Sequence, residues 1–154
     1  MKYLSCLTCF IISIISYQVD AQKSIEKQAL ELFDKYAPKI ENSNEAVIAY
    51  RRAILGDLNN DDLTDAIVEF GMAAKGGNSV LFKHAAIYLN VNGSLKVVGG
   101  FEPAYCIQIE SIKNGIVSVL ELEACALPWP KTIALHYYKL EQNKLVETVK
   151  GEAE

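Results

Sequence analysis

From residue 46 onward, apolar and polar residues alternate with a period of two, and turn signals separate the alternation into successive strand segments. The segments are 46–54, 65–72, 80–91, 94–101, 104–112, 116–125, 132–140 and 144–149. Between them stand Gly76-Gly77-Asn78, Asn92-Gly93, Asn114-Gly115 and Glu141-Gln142-Asn143. Connections this short join antiparallel neighbours, because a parallel crossover needs a dozen residues or more. The pattern predicts a mostly antiparallel, meandering sheet, curled or folded into a sandwich. Pro128-Trp129-Pro130 interrupts it as a rigid connection, since proline cannot donate to a ladder.

Before the strands the period is different. Ile25, Ala29, Leu32, Phe33, Tyr36, Ala37 and Ile40 recur at spacings of three and four, the pattern of an amphipathic helix. Ser24 is the expected N-cap, and Pro38 is expected to kink or end the helix, because it lacks an N–H and crowds the preceding turn. Glu41-Asn42-Ser43-Asn44 then links to the strands. The class expected is therefore α+β, an N-terminal amphipathic helix packed on the antiparallel sheet.

Between the first two strands the chain reads Asp57-Leu58-Asn59-Asn60-Asp61-Asp62-Leu63-Thr64-Asp65. Side-chain oxygens at every second position suit a hard cation, which takes six to eight oxygen ligands from carboxylates, amides and backbone carbonyls. Asp57, Asn59, Asp61 and Asp65 supply side chains, and Leu63 a carbonyl. With the apolar run Ala66-Ile67-Val68 behind it, the segment resembles the FG-GAP/VCBS type of repeat, D-x-[DN]-x-D-G-x-x-D leading into a β-strand, over about residues 54–70. The resemblance implies a bound Ca²⁺ held by those five residues. Asp62 replaces the glycine of the pattern, a place that needs a left-handed backbone, which Asp and Asn accept better than other side chains. An EF-hand fits less well, because its twelfth position, a glutamate, is here Val68. The bland reading of the same residues is a solvated turn. A propeller is excluded, since the unit occurs once.

Residues 1–21 read as a secretory signal peptide: Lys2, an apolar stretch from Leu4 to Tyr17, and Val19-Asp20-Ala21 as a cleavage site. The stretch is shorter than the roughly 20 residues of a membrane span. Residues 22–154 are expected to form one secreted or periplasmic domain of about 133 residues. Only Cys106 and Cys125 lie beyond the signal, and an oxidising compartment favours their bonding. With Asn114-Gly115 as a two-residue turn, Ile107 faces Leu122 and Ile109 faces Leu120. Cys106 then lies opposite Glu123 and only diagonal to Cys125, so a disulfide requires a small shift or a bulge.

Other chemistry is sparse. His84 and His136, the two histidines, sit in strand segments without ligand partners at metal spacing and read as structural. No G-x-S-x-G or H-E-x-x-H signature is present. Glu102, Glu110, Glu121 and Glu123 offer carboxylates for a glycoside hydrolase, but the hairpin register sets Glu121 opposite Gln108 on a solvated face. Gly99-Gly100 precedes no helix and is not a phosphate loop. Trp129, held between prolines, is a candidate contact residue. The formal net charge of −4 with no Lys/Arg cluster argues against nucleic acid as a partner. Together with the signal peptide, the resemblance to FG-GAP/VCBS repeats implies a secreted or periplasmic binding module of the cell envelope with a structural Ca²⁺ loop, its partner an envelope or extracellular protein or glycan. The alternative is a small secreted enzyme or enzyme inhibitor in which the acidic loop is only a turn.

Overall fold

The computed structural model describes residues 4–149, with side chains from Ser24 onward; the expected signal peptide, 1–21, lies outside the described side chains. One helix, α1 (Leu4–Asn44), is followed by eight strands: β1 (Ala46–Gly56), β2 (Asp65–Ala74), β3 (Val80–Val91), β4 (Ser94–Phe101), β5 (Cys106–Lys113), β6 (Ile116–Leu122), β7 (Thr132–Glu141) and β8 (Lys144–Thr148). They form two four-stranded antiparallel meanders, β1-β2-β3-β4 (sheet A) and β5-β6-β7-β8 (sheet B). The fold is α+β, as the change of period from 3.6 to 2 predicts.

Three of the hairpins use two-residue turns, closing at Val91↔Ser94, Lys113↔Ile116 and Glu141↔Lys144. Both central residues of each are left-handed: Asn92 and Gly93, Asn114 and Gly115, Gln142 and Asn143. Positive φ at both positions matches the twist of antiparallel strands.

The sheets stack face to face. Ile67, Ala85 and Ile87 of sheet A meet Ile107, Ile109, Val117, Val119 and Tyr138 of sheet B, with Leu58 sealing the end. On its other face sheet A carries α1: Ala29 and Phe33 pack on Ala66, Val68, Phe70 and Tyr88. Strand β2 is thus covered on both sides, and only its last residue is exposed. It therefore does not alternate in burial, unlike β5 and β6 of sheet B, whose outer face meets water.

The helix departs from expectation in three respects. Ser24 lies inside α1 rather than capping it, a position serine tolerates at a few tenths of a kcal/mol. Pro38 does not end α1, which continues to Asn44, because Ile40 still packs on sheet A and Glu41 accepts the Ile48 N–H at 2.8 Å. The end comes at left-handed Glu45, with Asn44 Nδ2 donating to the Ile40 carbonyl. Tyr36 falls off the line of Ile25, Ala29, Phe33, Ala37 and Ile40, is half exposed, and lies against Lys39.

The β5–β6 register also differs, for one local reason. Next to the turn it is as expected, but the ladder shifts between Ile109 and Ser111, leaving Glu110 as a bulge. Beyond the bulge Cys106 faces Leu122 and Ile107 faces Glu121. Cys125 lies three residues past the partner of Cys106, beyond the end of β6, and the two cysteines, at a Cα separation of 5.3 Å, are joined as a disulfide.

Candidate functional site

The β1–β2 loop is built around Asp57. Its Oδ1 accepts the N–H groups of Asn59 and Asp61 at 3.2 Å, and its Oδ2 that of Asp62 at 2.8 Å, so one carboxylate folds the loop back on itself. Asp61 Oδ1 takes the Leu63 N–H at 2.9 Å, and Asn59 Nδ2 donates to Asp61 Oδ2 at 2.9 Å. Asn60 and Asp62 are left-handed, with φ of 58° and 63°. Asp62 occupies the place of the pattern's glycine and adopts the conformation that glycine would supply.

Asp65, fully buried, closes the loop. Its Oδ2 accepts the Leu58 N–H at 2.8 Å and its Oδ1 the Asn90 N–H at 2.7 Å. Burial pushes its pKa up, the two backbone donors oppose that shift, and the charges of Asp61 and Asp57 add to it. Carboxylate oxygens of Asp57, Asp61 and Asp65 lie within 4.8 Å of one another. The structure therefore brings these three expected ligands together. Asn59 is in the same loop but turns its amide nitrogen toward Asp61, and Leu63 joins through its N–H, with a side chain that is 38 % exposed.

Two supports of the loop were not legible in the pattern. Asn90 donates to the Thr64 carbonyl at 3.1 Å and accepts from Gly93 N–H at 2.8 Å, fastening the loop to the β3–β4 turn. The Gly115 N–H donates to the Asp57 carbonyl at 3.2 Å, and Asn60 sits so close that a Cβ on Gly115 would meet its amide at 2.7 Å. The loop thus bridges sheet A and the tip of the β5–β6 hairpin.

A second polar cluster lies between the sheets. Glu69, 1 % exposed, accepts from Tyr50 Oη at 2.9 Å, from Arg52 Nε and Nη2 at 3.2 and 2.9 Å, and from the Ile109 N–H at 2.6 Å. Arg52 Nη2 also donates to the Ile109 carbonyl at 2.7 Å. Side chains of sheet A thereby satisfy the edge of β5 where no strand does. Burial, then Glu69, raises the Tyr50 pKa, so its phenol stays a donor. Glu69 carries no sequence signal beyond being a lone acid in an apolar run.

At the other end of the inter-sheet space the sheets part around a cleft of about 450 Å³, lined among others by Val80, Lys83, Tyr105, Glu121, Leu122 and Ile133. Because of the Glu110 bulge, Glu121 stands opposite Ile107, where the unbroken register sets it opposite Gln108. Its carboxylate meets His136 Nε2 at 2.9 Å, while His136 Nδ1 meets Glu147 at 2.7 Å and the ring stacks on Tyr105. These carboxylates raise the His136 pKa, favouring an imidazolium with no lone pair to act as a base. His84 lies instead against Phe70, and burial lowers its pKa. Glu110 accepts from Gln108 at 2.6 Å.

Trp129 is 90 % exposed. Its loop is pinned at the base by the Glu123 N–H to the Lys131 carbonyl and by the Cys106–Cys125 bond. No helix among the described residues is long and apolar enough to cross a membrane. Comparison of the chain with known protein families, with curated proteins and with solved structures returned no match.

Proposed function

We propose that this chain is a secreted or periplasmic interaction module of the cell envelope in which Ca²⁺, held by the β1–β2 loop, is structural. The observation that carries the reading is the convergence of Asp57, Asp61 and Asp65 in a loop whose glycine position, Asp62, has the left-handed backbone the repeat requires. Asp57, Asn59, Asp61, the Leu63 carbonyl and Asp65 are the ligands in this reading. The ion relieves the mutual repulsion of three carboxylates, one of them buried. Since the loop is bonded to both Asn90 and Gly115, the ion braces sheet A against the β5–β6 hairpin. The disulfide supports an oxidising compartment, where millimolar Ca²⁺ loads even a weak extracellular site. The rigidly presented Trp129 supports contact with an envelope or extracellular protein or glycan.

The test is a thermal melt with chelator and with millimolar Ca²⁺. For a dissociation constant of about 10⁻⁴ M, 2 mM Ca²⁺ stabilises the fold by about 2 kcal/mol, a rise of roughly 5–10 °C at this size. The Asp57→Ala/Asp61→Ala variant loses that rise. Identical melts with and without Ca²⁺ reduce the loop to an acidic turn.

A further inference from the structure

We propose that the inter-sheet cleft receives an extended acidic segment of a partner protein, which adds as a strand along the open edge of β3 at residues 80–84 and sets a carboxylate against Lys83. The inference deepens the interaction-module reading and does not depend on the calcium loop.

The edge is open because β4 is short. Strand β4 ends at Phe101, opposite Ala85, and the chain leaves through Glu102 and Pro103 toward sheet B. Val80, Phe82, Lys83 and His84 pair with β2 on one side, with Leu81 left as a bulge, and on the other side residues 80–84 have no strand partner among the described residues. Alternate residues there direct N–H and C=O groups outward, and the complement of such a row is another extended backbone. At about 3.3 Å per residue the edge is about 16 Å long, enough for a short peptide strand.

The cleft runs along this edge, with apolar surface left uncovered on both walls. Leu81 is 50 % exposed at the β3 edge and Ile133 is 61 % exposed on the other side, whereas Phe82, opposite Met72, belongs to the helix-side face of sheet A. Burial of such side chains is what an added strand gains from the pockets it crosses.

Charge decides the chemistry of the segment. The Lys83 ammonium lies 5.7 Å from the centre of the Tyr50 ring and makes no ion pair among the described residues. Glu69, the acid nearest in charge, is committed to Arg52, Tyr50 and Ile109. Desolvation lowers the Lys83 pKa, a cost that an arriving carboxylate offsets. On the facing wall Glu121 is tied to His136, and Glu123 stands at the exposed rim. An uncommitted cation in a half-apolar cleft beside an unpaired strand edge fits a peptide of alternating apolar residues with one acid.

The experiment pans a random nine-residue peptide library displayed on phage against the protein purified from cells expressing the full chain, with Ca²⁺ present. The expected selection alternates apolar residues with an acid at one fixed position. The same selection on Lys83→Glu is expected to replace that acid with Lys or Arg, and the original peptides are expected to bind that variant at least tenfold more weakly. N-methylation of the peptide is expected to weaken binding at least tenfold at alternate amides only. Should Lys83→Glu not fold by circular dichroism, Lys83→Met takes its place, with loss of the acidic preference as the readout. Selected peptides indifferent to residue 83 overturn this site while leaving an interaction module that binds elsewhere. Binding indifferent to N-methylation overturns strand addition, and a selection with no enrichment overturns the peptide as occupant.

Discussion

Replacing Glu69 by alanine tests how the two sheets are held together. The carboxylate accepts four hydrogen bonds, from Tyr50, twice from Arg52, and from the Ile109 N–H. Truncation leaves the Ile109 N–H buried without a partner, which costs about 1–3 kcal/mol. Breaking a fully buried ion pair costs about 3–5 kcal/mol, but Arg52 keeps 43 % of its side chain in solvent and rehydrates, so that contribution falls to about 1 kcal/mol. The sum is about 3 kcal/mol, or roughly 10 °C in Tm. Glu69→Gln keeps the volume and an acceptor for Ile109 and is expected to lose about half as much. Urea unfolding followed by circular dichroism reads both, with an unchanged slope reporting that the unfolded state is unaltered. A loss below about 1 kcal/mol for Glu69→Ala refutes the reasoning, because it means that desolvating the carboxylate cancels its bonds.

Opening the Cys106–Cys125 bond, which spans 19 residues, is expected to cost about 3 kcal/mol through the entropy of the unfolded chain; a urea midpoint that reductant leaves unmoved contradicts this. His136 supplies a pH dependence. Its folded pKa lies above the ordinary 6.5, so the stability it contributes is full below 6.5 and is lost as pH rises through the folded value. The gap in urea midpoint between the protein and His136→Gln should therefore narrow between pH 6 and pH 9, and a constant gap rejects the paired imidazolium.

Strand positions were legible because turn chemistry is local: Asn-Gly pairs and short polar links announce reversals whatever surrounds them. The acidic loop was legible for the same reason, since Asp57, Asp61 and Asp65 come together through contacts within nine residues. What the pattern hid is non-local. The Glu110 bulge adds one residue to one strand, and beyond it Glu121 stands opposite Ile107 where the unbroken register sets it opposite Gln108. The passage of α1 through Pro38 depends on contacts with sheet A made after the proline. Asn90 and Glu69 act on partners 25 and 40 residues away, at distances no short window spans.

Strand β2 is apolar on both faces, so hydrophobicity alone does not say which of its faces should meet α1 and which sheet B. A slip of one residue would merely exchange Ile67 for Val68 between two greasy layers. Asp65 and Glu69 break that degeneracy. Four residues apart, they point to the same side, and each finds backbone donors there: Leu58 and Asn90 for the first, Ile109 for the second. In the slipped alignment both charges would enter the helix-side layer with nothing to receive them, so these two acids act as keys that admit β2 in a single alignment.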